Sequence, residues 1–430
     1  MTDTFLVSDS ESLTYPELDK KKNDLIQRLG KPKPVLLEAD RNINTVVRFL
    51  SLIEGGHTVL MVPSWDFKDA EFRAQLKQLS QTDFLPWGMA SELPEGEAKT
   101  FHSLIRKGLE NKSGRFLVRT SGSSGKFKLV LHDPELFFRK YKLIGKHFER
   151  TFFFSPADSI AGVETILEAY SHRASVAFVS GKISPALVAQ TLKSQSVDYF
   201  QTTPTFLNLM MLSGVFRTEK PEKLLKIAFG SEPAQASVLS HIKEKWSEVS
   251  LLQTYGMSEI GIQKTLFTDD PVYFHLDEKH NPGRIKNGLL EISSLTPLVA
   301  YLNFDSQITS DGWFMTHDEV REKGKQLSVP GREGELLNIA GRKFFPSEVE
   351  EFLMKVSGIL DVIVRAEKDE FAGTILHAEI FIDPEVSETE MRKKLKDFLG
   401  ASVPPHMHPQ KITIGTELPQ NGRFKKMRKA

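Results

Sequence analysis

The chain has 430 residues, 56 basic and 56 acidic, with 40% hydrophobic and 26% charged residues and a formal net charge of zero. That length exceeds one ordinary compact core and calls for two or three domains, while the balanced charge gives no electrostatic ground for nucleic acid as the main partner. Cysteine is absent, which excludes disulfides, Cys-ligated zinc, iron–sulfur clusters and a cysteine nucleophile together, so a thioester made here must take its thiol from elsewhere.

In chain order, the opening MTDTFLVSDSESLTYPEL has no basic stretch followed by an apolar run. No apolar segment approaches membrane-spanning length, so the expectation is a cytoplasmic protein without stable membrane insertion. Residues 13–29 predict a helix ending near Gly30 and Pro32, and Pro34–Glu38 predicts a strand. Residues 42–54 are apolar at helical spacing, Gly55 and Gly56 close them, and HTVLMVP gives a second strand. This strand–helix–strand order is an α/β signal. FLVRT at 116–120 leads directly into a Gly/Ser-rich turn, and runs at 151–156, 174–180, 197–204, 226–232 and 249–256 repeat the strand pattern. Beyond about residue 282, GLLEISS, VAYLNF and GWFMTHD predict an antiparallel section or small barrel. Segment 329–335, VPGREGE, reads as a linker. A helix from Ser347, strands at GILDVIVRAE and ILHAEIFID, and a helix over 387–400 ending at Gly400 then describe a compact α+β unit.

The sharpest local feature is Thr120-Ser121-Gly122-Ser123-Ser124-Gly125-Lys126-Phe-Lys128. Its glycines let the backbone turn closely around an anion and present N–H groups to it, the hydroxyls add donors, and Lys126 and Lys128 add positive charge. It is not the nucleotidase P-loop, which needs Ser or Thr directly after its lysine, where Phe127 stands. Alone, the segment also reads as a flexible surface turn.

Together with four further segments it resembles the phosphate-binding motif of the adenylate-forming superfamily, which includes acyl-CoA and aryl-CoA ligases, luciferases and peptide-synthetase adenylation domains. Gln253-Thr-Tyr255-Gly256-Met-Ser258-Glu259 is similar to the segment in which, across the family, Tyr stacks near adenine, Ser or Thr contacts the phosphoryl region and Glu holds Mg²⁺. Phe229-Gly230-Ser231-Glu232-Pro233 resembles the adenine-side loop, and Asp311-Gly-Trp-Phe-Met-Thr-His317-Asp318 the strand whose final Asp grips the ribose hydroxyls. Gly331-Arg332, then Gly341-Arg-Lys-Phe-Phe-Pro-Ser-Glu348-Val-Glu350, resembles the entrance to a mobile C-terminal domain, where Arg contacts ribose or phosphate and the Gly341 segment lines the thiol channel.

The resemblance implies an α/β fold: a large N-terminal domain of stacked α/β sheets with a small barrel-like section over 1–331, and a small mobile α+β domain over 332–430. It also implies ATP, Mg²⁺ and CoA, with a carboxylic acid attacking the α-phosphorus of ATP and a thiol then attacking the acyl-adenylate carbonyl, the two half-reactions using different orientations of the C-terminal domain. An acyl carrier protein is the other acceptor considered. The acid pocket is expected near 151–162, 197–208 and 228–232; its Asp158-Ser-Ile-Ala-Gly162 stands where relatives place an aromatic or His gate.

Three positions depart from the family pattern. Gly334 occupies the hinge position, usually Asp or Lys, and His317 precedes Asp318 where Gly is common. The family closes with Pro-x-x-x-Gly-Lys, whose lysine bridges the substrate carboxylate and the α-phosphate; here the chain reads Leu418-Pro-Gln-Asn-Gly422-Arg423-Phe-Lys425-Lys426. Arginine keeps the charge but is a broad planar fork rather than a compact ammonium. Arg423, Lys425 and Lys426 are therefore the catalytic candidates beside Glu259. An acid–CoA ligase is the first reading. An acyltransfer enzyme of polyketide or lipid biosynthesis with weak adenylation is the second, and a non-catalytic nucleotide- or CoA-binding homologue the third. The histidines show no HExxH or carboxylate–His grouping, so Mg²⁺ accompanying ATP, with Glu259 as its ligand, is the one metal expected.

Overall fold

The computed structural model describes residues 3–91, 93–94, 96–121, 127–339, 341–369, 373–383 and 386–416. Two largely parallel sheets form its frame. One orders its six strands as Ala300–Tyr301, Phe127–His132, Arg115–Ser121, Thr58–Val62, Pro34–Glu38 and Leu85–Trp87. The other orders seven as Ser250–Gln253, Lys226–Phe229, Tyr199–Thr202, Arg150–Phe152, Ser175–Ala177, Thr4–Val7 and Ser12–Thr14.

Strand alternation sends successive side chains to opposite faces, and here it divides the strands between separate cores. Val35 and Leu37, Val59 and Met61, and Phe116 and Val118 enter a central core, while Leu36, Leu60 and Leu117 enter an outer one. In the second sheet Phe153, Val176, Tyr199 and Ala228 face the same central core; Phe152, Ala177, Phe200 and Ile227 face another outer core. Between the sheets lie helices Ile43–Glu54 and Ile160–His172, both buried over most of their length. Helices that are apolar nearly all round belong in such a middle layer. The result is five layers, helix–sheet–helix–sheet–helix.

An antiparallel sheet of Gly283–Lys286, Leu289–Ile292, Phe314–Lys323 and Gln326–Arg332 supplies the barrel-like section. The C-terminal α+β domain places Ile359–Asp369, Gly373–Ile382 and Lys411–Gly415 in one sheet, covered by helices Pro346–Leu353 and Glu388–Ser402 around its own core.

Three expectations need correcting. The run VAYLNF, 299–304, does not join the antiparallel section; Ala300 and Tyr301 pair with Leu131 and Val130 in the six-stranded sheet. Segment 329–335 is not a free linker, since the strand runs through Arg332, with Glu319 opposite Gly331 and Asp318 opposite Arg332. Pro330 is tolerated because this is an edge strand. The last helix does not end at Gly400 but runs to Ser402. Pro404 stops it, because a residue before proline is driven out of the helical region.

Candidate active site

In open α/β sheets ligands bind beyond the carboxyl ends of the strands, and several of the described candidate residues, Gly230 to Glu232 and Tyr255 to Glu259, follow such ends. Ser121 ends its strand opposite Phe127, and Thr120 lies opposite Lys128. Gly122, Ser123, Ser124, Gly125 and Lys126 lie outside the described residues, as do Arg423, Lys425 and Lys426.

Gly230 follows the strand Lys226–Phe229, and a Cβ there would fall 2.5 Å from the Thr254 carbonyl oxygen. That approach requires glycine. Ser231 follows with φ of 75°, and the Glu232 carboxylate accepts a hydrogen bond from the Thr205 backbone N–H at 2.8 Å. Glu232 is thereby tied to the N-terminal end of helix Pro204–Leu212.

The hairpin 255–263 pairs Tyr255 with Gln263 and Met257 with Gly261, leaving Ser258, Glu259 and Ile260 in its turn. Tyr255 donates to Asp318 Oδ2 at 2.6 Å, and Arg332 Nε donates to Asp318 Oδ1 at 2.9 Å. Both oxygens of one buried carboxylate are therefore held by two other candidate residues. Burial pushes the Asp318 carboxyl above its ordinary range, against the pull of Arg332 and Tyr255. The Tyr255 ring stacks on Phe274, with centroids 5.0 Å apart and planes at 14°, so one of its faces is already taken.

His317 adopts φ of 59°, so the backbone keeps the left-handed conformation that glycine favours. Its Nδ1 lies 3.1 Å from Glu333 Oε2.

Glu259 is buried, and the Tyr301 hydroxyl lies 3.0 Å from its Oε1. Lys128 Nζ sits 5.2 Å from the Tyr301 ring centroid and the same distance from that of Phe304, a cation–π arrangement. Burial, reinforced by Glu259, raises the Tyr301 hydroxyl well above its usual range, so it stays protonated as a donor. Tyr301 was not a candidate from sequence: a lone aromatic in a short apolar run carries no signal until its strand pairs beside Lys128.

Gly341 has φ of 79° in the turn between Leu337–Ile339 and Arg342–Phe344, with nothing within 4 Å of a Cβ there. Its conformation favours glycine, and among the described residues no hydrogen bond joins it to Asp318.

A cavity of about 510 Å³ opens beyond the ends of Pro34–Glu38, Thr58–Val62, Arg150–Phe152 and Ser175–Ala177. Arg41, Lys182, Trp65 and Asp158 are among its lining residues. Arg41 Nη2 donates to the Gly181 carbonyl at 3.0 Å, while its buried Nε has no hydrogen-bond partner among the described residues. Among the described residues no group of three His, Cys, Asp or Glu is placed to hold a metal ion, and no helix is long and apolar enough to cross a membrane.

Residues 55–285, more than half of the chain, match the AMP-binding enzyme family, and residues 348–425 match the AMP-binding enzyme C-terminal domain. The chain belongs to this family. Asp318, Arg332 and Gly341 fall between the two matched segments, so the structure alone places them beside the family's N-terminal motifs or apart from them.

Among curated relatives, 2-succinylbenzoate–CoA ligase of Oceanobacillus iheyensis is 23% identical over 291 residues, covering 64% of this chain and 59% of that protein. A human mitochondrial acyl-coenzyme A synthetase is 21% identical over 365 residues, covering 75% and 61%. The chain thus spans about three fifths of the length of these relatives. The o-succinylbenzoate CoA synthetase of Bacillus subtilis, solved with an acyl-adenylate intermediate, superimposes with a TM-score of 0.76 at 19% identity, over 99% of this chain and 94% of that one. ATP-bound MatB of Rhodopseudomonas palustris gives 0.76 at 15%, over 98% and 93%. These likenesses show the fold that this chain shares with the two structures.

Proposed function

We propose that the chain is an ATP-dependent acid–thiol ligase, forming an acyl- or aryl-adenylate and then a CoA thioester. The observation that carries this reading is the convergence of Tyr255 and Arg332 on the buried Asp318 carboxylate, the first from a hairpin 63 residues earlier and the second from the paired strand. Such a carboxylate can accept both hydroxyls of a ribose, with the guanidinium beside it offering donors to the sugar or phosphate. Relatives named as 2-succinylbenzoate–CoA ligase and acyl-coenzyme A synthetase support a carboxylic acid and CoA as its co-substrates.

In this reading Asp318 and Arg332 fix the nucleotide, Thr120 and Lys128 approach the phosphates from the paired strands, and the loop 121–126 adds its backbone N–H groups. The carboxylate of the acid attacks the α-phosphorus and pyrophosphate leaves; the thiol sulfur then attacks the acyl carbonyl and AMP leaves. Both anionic reactants need positive charge and positioning rather than a protein nucleophile. Glu259 fits magnesium, because that ion takes one or two carboxylates and completes its shell with substrate phosphates and water. Bound there with ATP, magnesium would neutralise triphosphate charge. The cavity beside Asp158, lined also by Arg41 and Lys182, supports an acid pocket at the segment 151–162. We assign the large domain to 1–331 and the mobile one to 332–430.

The test is acid-dependent ATP–pyrophosphate exchange over fatty and aromatic acids, with Arg423→Ala and Arg423→Lys beside the parent. Exchange in the parent, lost in Arg423→Ala and kept in Arg423→Lys, is expected. The acceptor comes from following thioester formation with CoA and with a pantetheinylated carrier protein. No exchange in the parent, but turnover of preformed acyl-adenylate with the thiol, would instead favour the acyltransfer reading that Arg423 raises.

A further inference from the structure

The hairpin 255–263 that carries Tyr255 and Glu259 is gripped from behind by a buried ion pair. Lys140, in helix Pro134–Ile144, and Glu164, in helix Ile160–His172, are 5% and 3% exposed, with Nζ and Oε2 2.5 Å apart. The Ile262 N–H donates to Glu164 Oε1 at 2.5 Å, and Lys140 Nζ donates to the Ile262 carbonyl at 2.6 Å. One peptide residue is thus held by both members of the pair. Tyr141 donates to Glu164 Oε2 at 3.0 Å, which completes the carboxylate's shell. Gly261, at φ of 71°, leaves its side-chain space to this carboxylate, since a Cβ there would lie 2.5 Å from Glu164 Oε1.

The pair acts on the hairpin's outer strand, while the candidate ligands stand on its inner strand and turn. Gly256 pairs with Ile262, and a Cβ at Gly256 would fall 2.7 Å from the Gly261 carbonyl oxygen. The two strands are therefore locked in register, and moving Ile262 moves Tyr255 and Glu259 with it. Other bonds steady the turn itself. His132 Nε2 lies 2.7 Å from the Ser258 carbonyl oxygen, and Thr296 donates to that of Ile260 at 2.6 Å.

Two hydrophobic residues would fill the middle layer at less desolvation than a buried lysine and glutamate. What the charged pair adds is a fixed pair of hydrogen bonds to one backbone position. We propose that Lys140 and Glu164 are positioning residues for the nucleotide site, setting the register at which the hairpin presents Tyr255 to Asp318 and Glu259 to magnesium. This rests on the proposed reading of the site as one for ATP.

The test uses the full chain with Lys140→Met and Glu164→Leu combined, which removes both charges and the tether while keeping an apolar fill. The expected result is a folded protein with a lowered unfolding temperature, since the Ile262 N–H and carbonyl and the Tyr141 hydroxyl lose their partners, and with Mg·ATP affinity by calorimetry at 25 °C about 10- to 100-fold weaker, the range for loss of groups that orient a ligand-binding residue. Amides of 255–263 should also exchange hydrogen faster. Should the double variant fail to fold, Glu164→Gln, which keeps an acceptor for the Ile262 N–H, serves instead, with a smaller loss of affinity expected. A folded variant binding Mg·ATP as the parent does would overturn the positioning role while leaving the ligase reading intact. A parent that does not bind Mg·ATP would overturn the reading of the site, and the pair's role with it.

Discussion

At the residue scale, Asp318 is the junction of the candidate site, and its environment makes two demands on any replacement. Its oxygens accept from Tyr255 and Arg332, and burial raises its carboxyl, so the charged form depends on those partners. Asp318→Asn keeps the shape and removes the charge. The Arg332 guanidinium then loses its counter-ion, and the proposed ribose site keeps one acceptor oxygen in place of two. Hydrogen bonds to charged groups contribute about 1.5–3 kcal/mol, so the KM for ATP should rise roughly 10- to 100-fold while that for the acid stays near the parent's, as steady-state kinetics with each substrate varied will show. Unchanged ATP affinity would remove Asp318 from the nucleotide site. The motif order exposed Tyr255, Glu259, Asp318 and Arg332 in the sequence because each sits in a local segment with characteristic neighbours. Tyr301, Lys140 and Glu164 were illegible for the converse reason. They reach Glu259 and Ile262 through strand pairing and helix packing between distant segments, and nothing in their flanking residues marks it.

At the scale of elements, strands and helices were legible wherever alternation or helical spacing met a glycine or proline stop. Pro34–Glu38 and helix Ile43–Glu54 fall where the pattern put them. Gly400 and Pro330 misled because their effects depend on surroundings. Gly400 meets nothing within 4 Å and lets its helix continue, and Pro330 sits on an edge that needs no further N–H. The helix Ile160–His172 also carries a polar cluster that periodicity could not assign. Glu168 Oε1 lies 3.2 Å from His147 Nδ1, and burial, opposed by Lys140 and reinforced by Glu164, raises its carboxyl to about 8. The folded chain therefore holds a proton that the unfolded chain has released. The stability this supplies is complete below the ordinary carboxyl value of 4.5 and is lost as pH rises through about 8. Buried His57 and His132, lowered to about 4 by burial, act in the opposite sense, losing stability only as pH falls below 6.5. From pH 6.5 to 8, then, Glu168 should lower stability by up to about 1.4 kcal/mol per pH unit. Urea denaturation followed on the large domain should show this slope in the parent and a flatter one in Glu168→Gln. Equal slopes in the two proteins would mean that Glu168 is ionised in the folded state.

At the scale of the whole molecule, the C-terminal domain is clasped to the rest by a few specific contacts. Arg321 donates to Glu348 at 2.6 Å, Asn208 Nδ2 donates to the Leu360 carbonyl at 2.7 Å, and Ser347 donates to that of Pro330. Gly331 lies so close against Phe345 that a Cβ would fall 2.3 Å from the ring. Just beyond, at Gly334, a Cβ would meet nothing within 4 Å. If the hinge lies at Gly334, as the family resemblance implies, it lies just after the strand Gln326–Arg332, where a Cβ would have room. If the two half-reactions need two orientations of this domain, fixing it in the present one must separate them. The absence of cysteine makes the test clean. Arg321→Cys with Glu348→Cys gives two thiols on opposite sides of the clasp, and a short bifunctional maleimide can join them without competing sites. Crosslinked protein should retain one of acid-dependent pyrophosphate exchange and thioester formation from preformed acyl-adenylate, and lose the other by at least about tenfold, an increment of about 1.4 kcal/mol in the barrier. The same double variant without crosslinker should keep both, with some loss of stability, because Glu348 also accepts the helix-capping bond from the Phe345 N–H, and losing a cap costs about 1 kcal/mol. Retention of both activities after complete crosslinking would show that the domain need not move, and would place the role of Gly334 in folding rather than in the reaction.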